Sequence, residues 1–274
     1  MLIATDLDGT LLAADSTEVP AYTASVLQRV DAAGIPVVFV TGRPLRWIEP
    51  LRRHIGRHGS VIASNGAITY DARAGEIVHL RGIGPEMGLT LTRDVTARVP
   101  AAQFAIECAE GIRLSPDFRE GFPMPHAPRG PLEEVWTDPA VKLLVRAPGV
   151  DSDELREAVT AAVGERATVT WSVRGLIEVS GAGITKASAL AALCAERGID
   201  ASEVVTFGDM PNDIAMLTWA GTAYAVEGAH ESVVRVADRR APACADEGVA
   251  QVLEGFALAA EREAGGRGAG LAHA

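Results

Sequence analysis

The chain has 274 residues, enough for one large domain or two smaller ones. Apolar residues make up 48% and charged residues 22%; this is a globular composition that excludes disorder, and no apolar run reaches the roughly 20 residues needed to span a bilayer. The net charge of −11 disfavours nucleic acid and anionic membranes as partners. Cys108, Cys194 and Cys244 lie too far apart for metal spacing or a disulfide framework, and the N-terminus lacks the pattern of a secretory signal, so a reducing, cytoplasmic setting is expected.

The first expected strand, 2–6, ends in Asp6-Leu7-Asp8-Gly9-Thr10. A helix pattern follows over 21–34, with Gly34 as its stop. The apolar run from Val37 ends in Thr41-Gly42-Arg43, and the basic stretch 52–58 reads as a solvated helix face. A strand over 60–66 leads into a hairpin turning at 71–75. Residues 85–98 read as a helix and 103–108 as a strand. The Pro/Gly-rich stretch 110–140 reads as loop. Within it, Arg113, Arg119, His126 and Arg129 mark either a specificity loop or a plain surface connection. Next come a strand over 141–147, a helix over 151–163 and strands near 167–172 and 175–180. A helix over 186–198 and strands at 204–209 and 222–226 complete the pattern, and the Gly/Ala-rich tail 263–274 is expected to fray.

Near-continuous apolar strands alternating with helices predict an α/β fold: a doubly wound, mainly parallel, Rossmann-like sheet with helices on both faces. The middle of the chain reads as a second, smaller α/β unit inserted into the first. The expected organisation is a core of 1–82 and 184–262, a cap of 83–183 and a flexible tail of 263–274. In such sheets ligands sit beyond the carboxyl ends of the strands. Those ends are where the polar residues cluster.

Asp6 and Asp8 are two residues apart on an extended chain, so both carboxylates point the same way. Such neighbours need a cation between them or a shared proton, and Mg²⁺ with oxygen ligands suits the task. An Asx-turn is the structural alternative; the spacing after Gly9 excludes an EF-hand. Thr41-Gly42-Arg43 reads as an anion cradle or as a helix cap. Lys186 opens a helix after a Gly-rich turn, but Thr185 stands where a phosphate-binding P-loop requires glycine. A cation there opposes the helix dipole, which suggests a partner anion, although a plain surface lysine fits the local sequence too. Asp209 and Asp213 bracket the turn Met210-Pro211-Asn212 after another strand. Capping by Asp209 explains one of these acids but not the pair.

Together Asp6-Leu7-Asp8-Gly9-Thr10, Thr41-Gly42-Arg43, Lys186 and Gly208-Asp209-x-x-Asn212-Asp213 resemble the motif series of the haloacid dehalogenase-like (HAD) phosphohydrolases. The resemblance extends to the Cof-type sugar-phosphatase branch, through Ser64-Asn65-Gly66-Ala67 and Asp246-Glu247-Gly248-Val249-Ala250 as well. It implies a Mg²⁺-dependent phosphatase acting on a small phosphorylated metabolite, a sugar phosphate or similar, through an aspartyl-phosphate. In that scheme Asp6 is the nucleophile and Asp8 the general acid and base. The metal is held by Asp6, the Asp8 main-chain carbonyl and Asp209, with Asp213 in support. Thr41, Gly42, Lys186 and Asn212 bind phosphate, and Arg43 and Asn65 face the substrate. A phosphomutase and a catalytically silent sugar-phosphate sensor are the alternatives on the same fold. A monomer or dimer is expected, without nucleic-acid or membrane partners.

Overall fold

The computed structural model describes residues 1–14, 16–119 and 124–271. Its strands are β1 (Leu2–Thr5), β2 (Val37–Val40), β3 (Ser60–Ala63), β4 (Ile68–Asp71), β5 (Glu76–Leu80), β6 (Gln103–Cys108), β7 (Gly111–Leu114), β8 (Lys142–Arg146), β9 (Ala167–Val173), β10 (Leu176–Gly181), β11 (Val204–Gly208), β12 (Thr222–Val226) and β13 (Arg239–Ala241). They form an eight-stranded sheet, ordered β13-β12-β11-β1-β2-β3-β4-β5, and a five-stranded sheet, ordered β7-β6-β8-β10-β9. The large sheet is parallel from β13 to β3 and turns antiparallel at the β4–β5 hairpin. The small sheet is antiparallel throughout, and its strands lie in sequence between β5 and β11. This is the doubly wound α/β architecture with an inserted α/β unit.

Strands β1, β2, β3 and β11 are buried along their whole length, which is why their sequences run apolar without alternation. Helices cover both faces. The helices are α1 (Ala21–Ala32), α2 (Pro85–Arg98), α3 (Leu132–Val135), α4 (Ser152–Val163), α5 (Lys186–Arg197), α6 (Ile214–Trp219), α7 (Glu231–Val236) and α8 (Gly248–Leu271). On one face Val26, Leu27 and Val30 of α1 and Leu253 and Ala257 of α8 join Ile3, Phe39 and Phe207 in the core. On the other, Leu190 and Leu193 of α5 and Met216 of α6 pack on Leu2, Val38 and Ile62. The small sheet has its own core, in which Leu91 and Val95 of α2 and Leu155 and Val159 of α4 meet Ile106, Leu143 and Val145.

Two stretches differ from expectation. The expected loop 110–140 contains β7 and α3. Each is four residues long, too short for a periodic signal amid the prolines and glycines. Backbone at 263–271 continues α8 instead of fraying; 272–274 lie outside the described residues. Arg29 of α1 holds the helix upstream of this stretch, donating to Glu254 at 2.8 Å and Glu261 at 3.2 Å. At the other end of α8, Glu247 turns with φ +54°. Its carboxylate accepts the Thr23 N–H and O–H at 2.9 and 2.7 Å, tying α8 to α1.

Candidate active site

The carboxyl ends of β1, β2 and β11 open into a cavity of about 500 Å³ whose opposite wall is the small sheet. Asp6, Asp8, Gly42, Arg43, Asp209 and Asn212 line it, and Thr41, Asn65, Lys186 and Asp213 stand buried around its floor. The structure therefore gathers every candidate site residue at one place. Lys186, at the first position of α5, is almost wholly buried. Its Nζ donates to Asp6 Oδ1 at 2.7 Å and Asp213 Oδ1 at 2.6 Å. The Thr185 side chain caps α5 by accepting the Ser188 N–H, which fixes where Lys186 starts. A surface position for Lys186 is thereby excluded.

Asp213 organises the turn after β11. Its Oδ2 accepts the N–H groups of Asp209 and Met210, both at 3.0 Å. Gly208 leaves room for it: a Cβ there would lie 2.6 Å from the Asp213 Cβ. Thr10 donates to Asp209 Oδ1 at 2.8 Å. Gly9, at φ +77°, lets the chain pass Asp209, since a Cβ would sit 2.5 Å from its Oδ2.

Asp6 and Asp8 are paired with different basic side chains. Asp6 is paired with Lys186, whereas Arg43 grips Asp8 with both prongs, Nε to Oδ2 at 2.8 Å and Nη2 to Oδ1 at 2.6 Å. Arg43 also donates to the Ser16 carbonyl at 2.7 Å. In this arrangement Arg43 lines the cavity while engaged with Asp8. Thr41 Oγ1 accepts the Arg43 N–H at 3.0 Å, so the hydroxyl shapes the loop. Ser64 and Asn65 both take left-handed φ, 52° and 56°, and their N–H groups bond the carbonyls of Arg43 and Thr41. Gly66 presses on the Thr185 carbonyl, where a Cβ would lie 2.2 Å away, so this turn locks the Thr41 loop against the start of α5.

Sequence reasoning missed the groups that the small sheet contributes. Lys142 of β8 donates to the Gly42 carbonyl and to Glu178 Oε1, each at 2.6 Å, and both charged residues are buried. Asn65 donates to Glu178 Oε2 at 2.6 Å and accepts from Asn212 at 3.2 Å. Arg46 pairs with Glu107 of β6 across the same cleft. The one sequence signal was VKLLVRA, 141–147, where Lys142 and Arg146, four residues apart, share one face of an otherwise apolar strand. Arg113 and Arg129 make side-chain contacts outside the cavity. Arg113 binds Asp138 at 2.7 Å, and Arg129 donates to the carbonyls of Ser115, Pro116 and Phe118. The segment reaches the cavity through Ile112, Phe118 and Met124 instead.

Oxygen atoms of Asp6, Asp209 and Asp213 lie within 4.8 Å of one another, a hard donor set that fits Mg²⁺. Crowding shows in their acidity. Burial and the Asp213 charge raise Asp6 well above the usual carboxylate range against the pull of Lys186, and burial with Asp213 pushes Asp209 up to about 6. Burial lowers the Lys186 ammonium, but Asp213 and Asp6 outweigh it and hold it above the ordinary lysine value. Between the usual 3.8 and about 6, native Asp209 keeps a proton that the unfolded chain has lost, so folding stability falls as pH rises through that window. Above it Asp209 is charged and ready for a divalent ion. Mg²⁺ is therefore expected to raise the melting temperature at pH 7.5 and hardly at pH 5, because protonated carboxyls are poor ligands. Equal shifts at both pH values, followed by thermal denaturation, would contradict the assignment.

Residues 3–253 match the family described as haloacid dehalogenase-like hydrolase. The chain is 28% identical over 278 residues to the 5-amino-6-(5-phospho-D-ribitylamino)uracil phosphatase YbjI of Escherichia coli (strain K12), covering 92% of this chain and 94% of that protein. SMU.1108c from Streptococcus mutans UA159 shares the fold with a TM-score of 0.81 at 22% identity, over 93% of this chain and 98% of that one. BT4131, described as a HAD subclass IIB sugar phosphatase, does so with a TM-score of 0.78 at 20% identity, over 93% and 98%. The fold and the site define a haloacid dehalogenase-like hydrolase, and the chain belongs to that family. Within it the chain falls in the Cof-type branch and is a phosphatase.

Proposed function

We propose that the chain hydrolyses a small phosphate monoester in two displacements, with residues 83–183 capping a core of 1–82 and 184–262. The observation that carries this reading is the placement of Asp6: a buried carboxylate fixed at a strand end by Lys186 and opening into a cavity shared with Asp8. An Asp6 oxygen attacks phosphorus, the bond to the leaving oxygen breaks, and Asp8 gives that oxygen its proton. Asp8 then takes a proton from water, whose oxygen attacks the aspartyl-phosphate and releases phosphate and free Asp6. Arg43 must release Asp8, and Asp8 must take up a proton from solvent, before it can protonate the leaving oxygen; the incoming phosphoryl oxygens are the competing anion for Arg43. Thr41, Gly42, Lys186 and Asn212 hold the phosphoryl group, and Asn65 positions the cap through Glu178. Asp6, Asp209 and the Asp8 main-chain carbonyl, with Asp213 in support, would hold Mg²⁺, which when bound would supply charge neutralisation. Free thiols at Cys108, Cys194 and Cys244 suit a cytoplasmic protein.

The test is phosphate release from a panel of hexose, nucleoside and aryl phosphate monoesters, with and without Mg²⁺. Mg²⁺-dependent turnover of at least one ester is expected. A folded, Mg²⁺-binding protein that releases phosphate from none of them would overturn the reading.

A further inference from the structure

The wall of the cavity formed by the small sheet changes character along its length. Lys142, Leu144 and Arg146 alternate with the core residues Leu143 and Val145 on β8, so they face the cavity as one row. Lys142 marks the phosphate end, bonded to the Gly42 carbonyl. Leu144 lies in a belt with Ile112, Met124 and Leu176. Arg146 closes the far end, four residues on and therefore about 13 Å away along the strand.

The basic residues lining this cavity are Arg43, Arg46, Lys142 and Arg146. Three have carboxylate partners: Asp8, Glu107 and Glu178 respectively. Among the described residues none pairs with Arg146. Its Nε is buried without a hydrogen bond, and its guanidinium stands 6.0 Å over the ring of Phe118. In a chain of net charge −11, an arginine held on an aromatic face without an acid lacks a partner that a ligand can supply.

We propose that Arg146 is a specificity determinant: the substrate's leaving group is an elongated apolar or aromatic body whose far end carries an anionic oxygen group that Arg146 binds. This rests on the phosphatase reading and narrows its substrate class away from a bare hexose phosphate, whose hydroxyls would face the Leu144 belt unpaired. The phosphoryl group sits at Asp6, the apolar body crosses the belt, and the terminal anion meets the guanidinium.

The experiment compares biphenyl-4-yl phosphate with its 4′-carboxy and 4′-phosphono derivatives, the two anions separating a carboxylate end from a phosphate-like one. In the wild type, kcat/KM for at least one anionic ester is expected to exceed that of the plain ester by roughly 10- to 100-fold, the range of a charge-assisted hydrogen bond. Arg146→Met is expected to bring this ratio close to one, with the change in KM rather than kcat, and Arg146→Lys to restore part of it. A ratio near one in the wild type while other esters turn over, or a ratio that survives Arg146→Met, overturns the proposal. If no ester turns over, the phosphatase reading fails instead. Calorimetric binding of the 4′-carboxybiphenyl phosphonate against the plain phosphonate, in wild type and Arg146→Met, then decides the role of Arg146 by the same ratio.

Discussion

Asp6→Asn is expected to lower kcat for every phosphate ester by on the order of 10⁴-fold or more, the scale on which removal of a covalent nucleophile acts. The amide oxygen is a poor nucleophile and forms no stable acyl-phosphate. The loss should come without unfolding. Asp6 lies against Asp213 and Asp209, and both of those charges, together with burial, oppose its ionised form. A neutral amide removes that repulsion, while Lys186 keeps Asp213 at 2.6 Å. The melting temperature should therefore stay equal to the wild type or rise slightly. Phosphate release and a thermal melt on the same preparation check both halves. Borohydride reduction of an acid-quenched single turnover, followed by mass spectrometry for homoserine in place of Asp6, gives the covalent evidence directly, because only the acyl-phosphate is reduced. Retention of a tenth of wild-type activity by the variant would remove Asp6 from the nucleophile's place.

The parallel strands were legible because burial on both faces makes them nearly uninterrupted apolar runs, and their ends stand out where Asp6, Thr41 and Asp209 break the run. Glycines at φ +77° and +104°, Gly9 and Gly66, marked turns that no side chain could occupy. The acids and Lys186 converge because neighbouring parallel strands end at one edge, so topology alone brings residues 180 positions apart into contact. Side-chain direction was not legible. Arg43 was read toward substrate and does line the cavity, but the carboxylate it binds there is set by the hairpin-like return of Leu7 to Leu12, a tertiary detail with no signature around Arg43. The buried pair Lys142–Glu178 joins residues 36 apart on neighbouring small-sheet strands, each unremarkable in its own stretch. Its meaning depends on where the small sheet rests, and that is fixed by packing and by the bonds to Gly42 and Asn65.

Lys186→Met is expected to be the most destabilising single change in the site. Lys186 Nζ is the cation shared by two carboxylates that are themselves almost inaccessible, with side-chain exposures of 6% for Asp6 and 0% for Asp213. Methionine matches the length of the aliphatic stem, so packing is largely kept and the electrostatic term is what the variant isolates. Without the ammonium, two buried like charges face each other with Asp209 nearby, a loss of roughly 3–5 kcal/mol for breaking a buried pair. For a chain of this size that corresponds to a fall in melting temperature of about 6–20 °C. The pH dependence carries the sign of the cause. The Asp6 carboxyl, freed from the pull of Lys186, favours its protonated form more strongly than in the wild type, and protonation removes the repulsion, so the deficit should shrink as pH falls from 7.5 to 5. Mg²⁺ should recover part of the loss at pH 7.5, because the same acids then have a cation again. A melting temperature within 2 °C of the wild type at pH 7.5, an arbitrary but discriminating margin on the scale of about 2–4 °C per kcal/mol, would mean that Asp6 and Asp213 do not depend on Lys186 for their charge balance.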